Sequence, residues 1–219
     1  ASVAFGVAVA AGDVYREGIT AIGSQDIAMA ARLGYAVKLL AIAESIGGEI
    51  AVRVHPAMVP LDHPLASVRE AFNAVFVEGA AAGELMFYGR GAGGRPTASA
   101  VLGDVIDAAS NLRRGTSSAL AGLVPARIRS INELESQYYL TIDVLDRPGV
   151  LEQVAAATAR HQVSIRQMEQ VGMGDEARLV LVTHTARECD VQATMAELRQ
   201  LDVVDRVGTL LRVIGPERA

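Results

Sequence analysis

From Tyr138 onward the chain switches between two hydrophobic periods in an order that few architectures can satisfy. Tyr138 to Leu145 alternates as a strand, and Asp146-Arg147-Pro148-Gly149 is a turn feeding a helix from about 149 to 161. Val163 to Val171 and Arg178 to Thr185 read as strands, joined by a turn from Gly172 to Glu176. Glu188 to Gln200 returns to helical spacing, and Val203 to Ile214 closes as a strand. Strands repeat every two residues and helices every 3.6, so the order is β-α-β-β-α-β. In so short a stretch this predicts a ferredoxin-like unit, both helices on one face of a four-stranded antiparallel sheet.

The region before it reads differently. Ser24 is expected to cap a helix with Ile27, Ala30, Ala31 and Leu33 on one stripe and Gly34 as its stop. Ala36 to Ile46 and Glu49 to Pro60 flank Gly47-Gly48, which predicts a β-hairpin because such turns need positive φ. Phe72 to Glu78 and Glu84 to Tyr88 form a second antiparallel pair, and Gly89 to Gly94 is a glycine-rich loop. Pro96 to Leu112 is a helix with Ala100, Val101, Val105, Ile106 and Ala109 on helical spacing. Arg113 to Gln137 is weakly periodic, and Gly115 to Ser118 has linker composition. The fold class is therefore α+β: a mostly antiparallel sheet with helices on one face, followed by the βαββαβ unit. The expected division is 1–115, a linker over 116–137, and 138–219. Alanine follows it, with 28 of 37 copies before residue 127.

Charge and cysteine content exclude several functions. A formal charge of −5 without a Lys/Arg cluster argues against nucleic acid or an anionic membrane as partner. One cysteine, Cys189, permits no intrachain disulfide and fits a reducing, cytoplasmic setting. The opening Ala1 to Ala11 is apolar but lacks a basic n-region and falls short of the ~20 residues that span a bilayer. It reads as the tail of a buried helix in a truncated or cleaved chain.

Two segments have the makings of binding sites. In Asp146-Arg147-Pro148-Gly149-Val150-Leu151, Asp146 can cap the helix, Pro148 suits its first turn and Gly149 admits a ligand to the backbone. Free N–H groups at a helix start suit a carboxylate, although a well-made turn needs no ligand. Tyr88-Gly-Arg-Gly-Ala-Gly-Gly-Arg-Pro-Thr97 could likewise cradle a phosphate or simply form a tight turn. It lacks the G-x-G-x-x-G register of a dinucleotide fingerprint.

Other residues are expected to be structural. His55, His63, His161 and His184 have no metal-ligand spacing, and His55 and His63 each precede proline and fix loop geometry. Cys189 has no reactive neighbour in sequence. Asp26, Asp104 and Asp107 belong to helices and read as solvated acids. No metal site is expected.

Taken together, several segments resemble known families. The βαββαβ order with its Asp-Arg-Pro-Gly turn resembles the ACT domain over about 138–214. Val14-Tyr-Arg-Glu-Gly-Ile19, Leu33-Gly-Tyr-Ala-Val-Lys-Leu-Leu40, Val54-His-Pro-Ala-Met-Val-Pro60, His63-Pro-Leu-Ala66, Tyr88-Gly-Arg-Gly-Ala-Gly93 and Pro96-Thr-Ala-Ser-Ala-Val101 occur in the order seen in homoserine dehydrogenase. The chain is similar to the C-terminal part of that family.

The resemblance implies an NADP- or NAD-dependent oxidoreductase interconverting L-homoserine and L-aspartate 4-semialdehyde, in threonine, methionine and isoleucine synthesis. It implies that the Rossmann domain and the catalytic lysine lie upstream of Ala1, so no catalytic residue is expected here. The fragment alone is then expected to be inactive and to carry no bound cofactor. Lys38 matches a structural strand lysine of the family. Gly93 matches a cofactor contact, with Gly91, Ala92 and Thr97 supporting it. An amino-acid effector, threonine foremost, would be held between paired domains by Asp146, Arg147, Pro148, Gly149, Val150 and Leu151 of one copy and Ser164 and Gln167 of its neighbour. A homo-oligomer, dimer or tetramer, is the implied partner. The alternative is a stand-alone amino-acid-binding and oligomerisation module.

Overall fold

The computed structural model describes residues 1–116, 122–172, 174 and 176–215. Ser117 and Ser118 of the expected linker, and parts of the 172–176 turn, lie outside the described residues. In chain order the strands are β1 (Val7–Ala8), β2 (Tyr15–Arg16), β3 (Tyr35–Ile46), β4 (Glu49–Pro60), β5 (Phe72–Gly79), β6 (Gly83–Arg90), β7 (Val124–Pro125), β8 (Glu135–Leu145), β9 (Ile165–Gly172), β10 (Glu176–Thr183), β11 (Ala186–Arg187) and β12 (Val204–Val213). The helices are α1 (Ser2–Phe5), α2 (Ser24–Arg32), α3 (Gly94–Arg114), α4 (Val150–Arg160) and α5 (Glu188–Leu198).

Both hairpins form as expected. β3 and β4 pair in unbroken register from Tyr35↔Pro60 to Ile46↔Glu49. Gly47 and Gly48 make the turn at φ +60° and +82°, which a side chain would strain. β5 and β6 pair separately as a two-stranded sheet. The C-terminal unit takes the strand order β12-β8-β10-β9, all antiparallel. Leu140, Ile142, Val144, Leu179 and Leu181 on one face of its sheet pack against Val150, Val154 and Ala157 of α4 and Met195 and Leu198 of α5.

The two regions are not separate bodies. β12 pairs in parallel with β4 through Arg212↔Ala57 and Val213↔Met58, fusing both sheets into one of eight strands. The face of β8, β10 and β12 turned away from α4 and α5 carries Tyr139, Val180, Val182, Leu211 and Val213. These pack with Ala30, Tyr35 and Met58, so α2 closes the second face of the C-terminal sheet. An antiparallel sheet can leave one face wet, but here helices cover both.

Several local expectations are corrected. Gly23, not Ser24, is the N-cap of α2. Asp26, expected to be solvated, is 7% exposed and accepts the Gly23 N–H at 2.9 Å. The opening residues form only the turn α1, with no buried residue, before Gly6 turns left-handed at φ +67°. The stretch expected as linker is partly ordered by pairing: β7 lies parallel to β1, and Ile50 bridges Ile128. Its composition is that of a linker because these pairs use backbone groups and make no demand on side chains. The helical stripe of α3 is present but has no cover: Val101, Val105 and Ile106 are more than half exposed. No helix among the described residues is long and apolar enough to cross a membrane.

Candidate functional site

The glycine loop lies where β6 gives way to α3. At Gly91 a Cβ would sit 1.7 Å from Nδ2 of the exposed Asn73 side chain, which would have to swing aside. Gly93 is the N-cap of α3 at φ +129° and ψ 143°, a conformation essentially reserved for glycine. Its carbonyl accepts the Thr97 N–H at 3.1 Å, which starts the helix. Phe72 and Tyr88 stack at 4.8 Å, and the Arg90 guanidinium lies 4.6 Å from the Phe72 ring centroid, bracing the loop from behind. Gly93, Gly94, Thr97, Ala98, Val101, Leu102 and Val105 line a groove of about 680 Å³. A Cβ built at Gly94 meets nothing within 4 Å. Gly93 and Thr97 thus share one open helix start, whose free N–H groups and positive dipole end can face a phosphate or carboxamide. Gly91 and Ala92 shape the approach to it.

Asp146 does not cap α4, as the sequence suggested. Gly149 is the N-cap at φ +89°, and no side chain bonds to the first turn. The Asp146 carboxylate instead accepts from Gln170 Nε2 at 3.1 Å. Asp146, Arg147, Pro148 and Gly149 are exposed, and Leu151 is 40% exposed. Val150 is 4% exposed and belongs to the core, so its side chain is not free for a ligand.

Ser164 precedes β9 rather than lying in it, and its carbonyl accepts the His184 N–H at 2.8 Å. Gln167 pairs with Val182 and Ile165 with Thr183, which leaves Arg166 as a bulge residue. The bulge reverses the side-chain alternation beyond it. Gln167 therefore shares the face of Val182, whereas Gln170 shares the face of Leu179 beside Asp146. Gln170 was missed because the segment singled out for polar contacts ended at Gln167. Its signal is a second amide three residues after Gln167. One chain does not bring the 146–151 turn and Ser164 together: the turn meets the end of β9, and Ser164 its beginning.

The remaining candidates are structural. The Lys38 ammonium donates to the Val68 carbonyl. His63 Nδ1 accepts the Leu65 N–H at 3.1 Å and fixes its turn. Asp104 and Asp107 are exposed, and Cys189 is exposed beside Asp190. Among the described residues no His/Cys/Asp/Glu group could hold a metal ion.

A buried polar cluster was not legible in sequence. Arg212, 3% exposed, donates from Nε and Nη2 to the Glu188 carboxylate at 2.7 Å each. It also donates from Nη1 and Nη2 to Glu17 at 3.0 and 2.9 Å. The Tyr138 hydroxyl donates to Glu188 at 3.0 Å, and that of Tyr15 to Glu17. Burial alone would raise the Glu17 carboxyl, but the Arg212 and Tyr15 donors hold it below the ordinary carboxylate range. Burial and the adjacent Glu17 push the Tyr15 hydroxyl up to about 12. His55 is fully buried nearby, with Nδ1 3.0 Å from the Pro56 carbonyl and Nε2 without a hydrogen-bond partner among the described residues. Burial holds its imidazole below the ordinary histidine value.

Comparison with known proteins finds relatives for both regions. A homoserine dehydrogenase family model matches residues 1–106 and an ACT domain model residues 138–203. The homoserine dehydrogenase of Mycobacterium tuberculosis is 46% identical over 98% of this chain and 52% of its own length. That of Corynebacterium glutamicum is 44% identical over 97% and 49%. The crystal structure of a homoserine dehydrogenase from Thiobacillus denitrificans superposes with a TM-score of 0.89 at 33% identity, over 97% of this chain and 50% of that one. The chain spans about half the length of the curated relatives it matches.

Proposed function

Because this chain belongs to the homoserine dehydrogenase family and carries an ACT domain, we propose that it is the C-terminal portion of an NAD(P)-dependent homoserine dehydrogenase. The intact enzyme would interconvert L-homoserine and L-aspartate 4-semialdehyde for threonine, methionine and isoleucine synthesis, in the cytoplasm. The observation that carries this reading is 46% identity sustained over 98% of the chain, across both regions. The nicotinamide cofactor, when bound, supplies the hydride acceptor.

Toward that cofactor this chain would contribute the start of α3. Gly93 brings backbone close to the ligand, Thr97 and the first-turn N–H groups supply donors, and Gly91 and Ala92 keep the approach clear. The open helix start and the unhindered Gly94 fit such a group. The ACT portion would bind an amino-acid effector, threonine foremost, in a homodimer or homotetramer. The N–H groups of α4 around Gly149 and Val150 suit its carboxylate, and Arg147 and Asp146 frame it. Because Ser164 and Gln167 lie apart from the turn, their part requires a second copy.

The test is a chimera with the first half of the Mycobacterium tuberculosis relative placed ahead of Ala1. Soluble chimera should reduce NAD⁺ or NADP⁺ in the presence of L-homoserine, while the 219-residue chain alone should not. A folded chimera without turnover counts against the reading. Calorimetry of the 219-residue chain with L-threonine, L-methionine and L-isoleucine tests the effector site. Absence of heat from all three removes it.

A further inference from the structure

The buried cluster around Arg212 joins elements that the sequence places far apart. Glu17 directly follows β2 in the first region, and its N–H donates to the Val54 carbonyl at 2.8 Å. Glu188 is the first residue of α5 in the ACT portion. Four hydrogen bonds from one guanidinium hold both carboxylates, two to each. Neither acid can withdraw without leaving a buried cation half-paired, which a low-dielectric interior penalises strongly. The guanidinium also lies over the Tyr15 ring at 5.4 Å.

The far end of α5 is tied as well. Glu197, in its last turn, accepts from Arg160 Nε at 2.7 Å and lies 2.8 Å from His161 Nε2. Arg160 ends α4, the helix that begins at the 146–151 turn. A second joint lies on the opposite face of β12, where the Thr209 hydroxyl donates to Asp26 of α2 at 2.7 Å. α5 is therefore a short rigid element with one end on the effector helix and the other on the guanidinium that holds Glu17.

We propose that Arg212 is a coupling residue: it makes the position of the Tyr15–Glu17 segment depend on α5, and so transmits changes in the ACT portion to the dehydrogenase portion. The regulatory sense of this coupling rests on the effector reading above. The mechanical coupling does not. Physical linkage requires that both ends bias one shared element, and α5 with its two charged ties is that element.

The test uses hydrogen–deuterium exchange in the 219-residue chain. Ala196→Gly, at an exposed position of α5, weakens the far end of the helix by the glycine penalty. Exchange in 193–199 and in 12–19 should both rise, by about threefold or more. Faster exchange confined to 193–199 overturns the proposal. Placed in an Arg212→Lys background, Ala196→Gly should still accelerate 193–199 but no longer move 12–19, because an ammonium cannot bond both carboxylates bidentately. A response that persists there overturns it. Glu17→Gln carries the same expectation and decides the matter should Arg212→Lys fail to fold. L-Threonine supplies a separate arm. Absence of heat removes the effector reading and leaves the mutant pairs to judge the coupling. Heat with protection at 146–151 but no change at 12–19 overturns the coupling as a regulatory route.

Discussion

At the scale of single residues, two groups sit in environments that only one chemistry tolerates. Gly93 adopts a backbone conformation closed to side chains, and an added Cβ would lie 3.3 Å from Pro96 Cδ. Gly93→Ala should destabilise the chain by about 1–3 kcal/mol in urea unfolding. In the chimera it should raise KM for the nicotinamide cofactor more than KM for homoserine. His55 is the second case. Its imidazole is buried and favoured neutral, so its folded pKa lies below the unfolded value of about 6.5. The unfolded chain then takes up the proton first as pH falls. The stabilisation is complete above about 6.5 and is lost progressively as pH falls from there through the lower folded value. His55→Gln should flatten the fall in melting temperature between pH 7 and 5. An unchanged slope would show that His55 does not set it. Gly93 was singled out through the family resemblance, and the glycine-rich run before a helix was the local feature beside it. The unpaired Nε2 of His55 was not legible, since it depends on β2, β4 and β12 meeting.

At the scale of elements, hydrophobic period identified the eight long strands and the four long helices, but neither the two-residue strands nor what covers the elements. In α3 the apolar stripe is real, yet Val101, Leu102, Val105 and Ile106 are all more than half exposed. The β5–β6 hairpin likewise exposes Val75 and Phe87, a directly paired couple, at 61% and 66%. Leu102→Glu or Phe87→Glu should therefore change the stability of this chain by less than about 0.5 kcal/mol. Leu179→Ala, in the fully buried core between β10 and α4, should cost about 2–5 kcal/mol. Urea unfolding of the three variants compares them directly, and a large loss at Leu102 or Phe87 would contradict the exposed placement. Nothing in Ile165-Arg166-Gln167 announces the bulge at Arg166, because bulges are set by pairing with the neighbouring strand.

At the scale of the whole molecule, the two regions share a sheet, a core and two polar joints. β4 and β12 are hydrogen-bonded neighbours, and α2 closes the outer face of the ACT sheet. Such sharing predicts one cooperative transition. Unfolding in urea followed by far-ultraviolet circular dichroism and by tyrosine fluorescence should give coincident curves. Two separated transitions would show that the regions fold independently. Residues 130–215 prepared alone would bare Tyr139, Val180, Val182 and Leu211 and should self-associate or bind a hydrophobic dye. Thr209→Val, which removes the hydroxyl held by Asp26 and leaves a buried carboxylate short of a donor, should cost about 1–3 kcal/mol.

The sequence by itself determined the local grammar of this protein. It set the two hairpins, the βαββαβ order, the glycine at the start of α3 and the Asp-Arg-Pro-Gly turn, and it carried a family resemblance over both regions. These features follow from forces acting within a few residues: φ restriction, hydrogen-bond completion and the burial of one face. The tertiary structure alone decided that the two regions form one sheet, that Gln170 meets Asp146, and that Arg212 binds Glu17 and Glu188 together. Those facts depend on which backbone edges meet and which charges are buried as a result. An arginine that will be fully desolvated reads in sequence like any other of the nineteen.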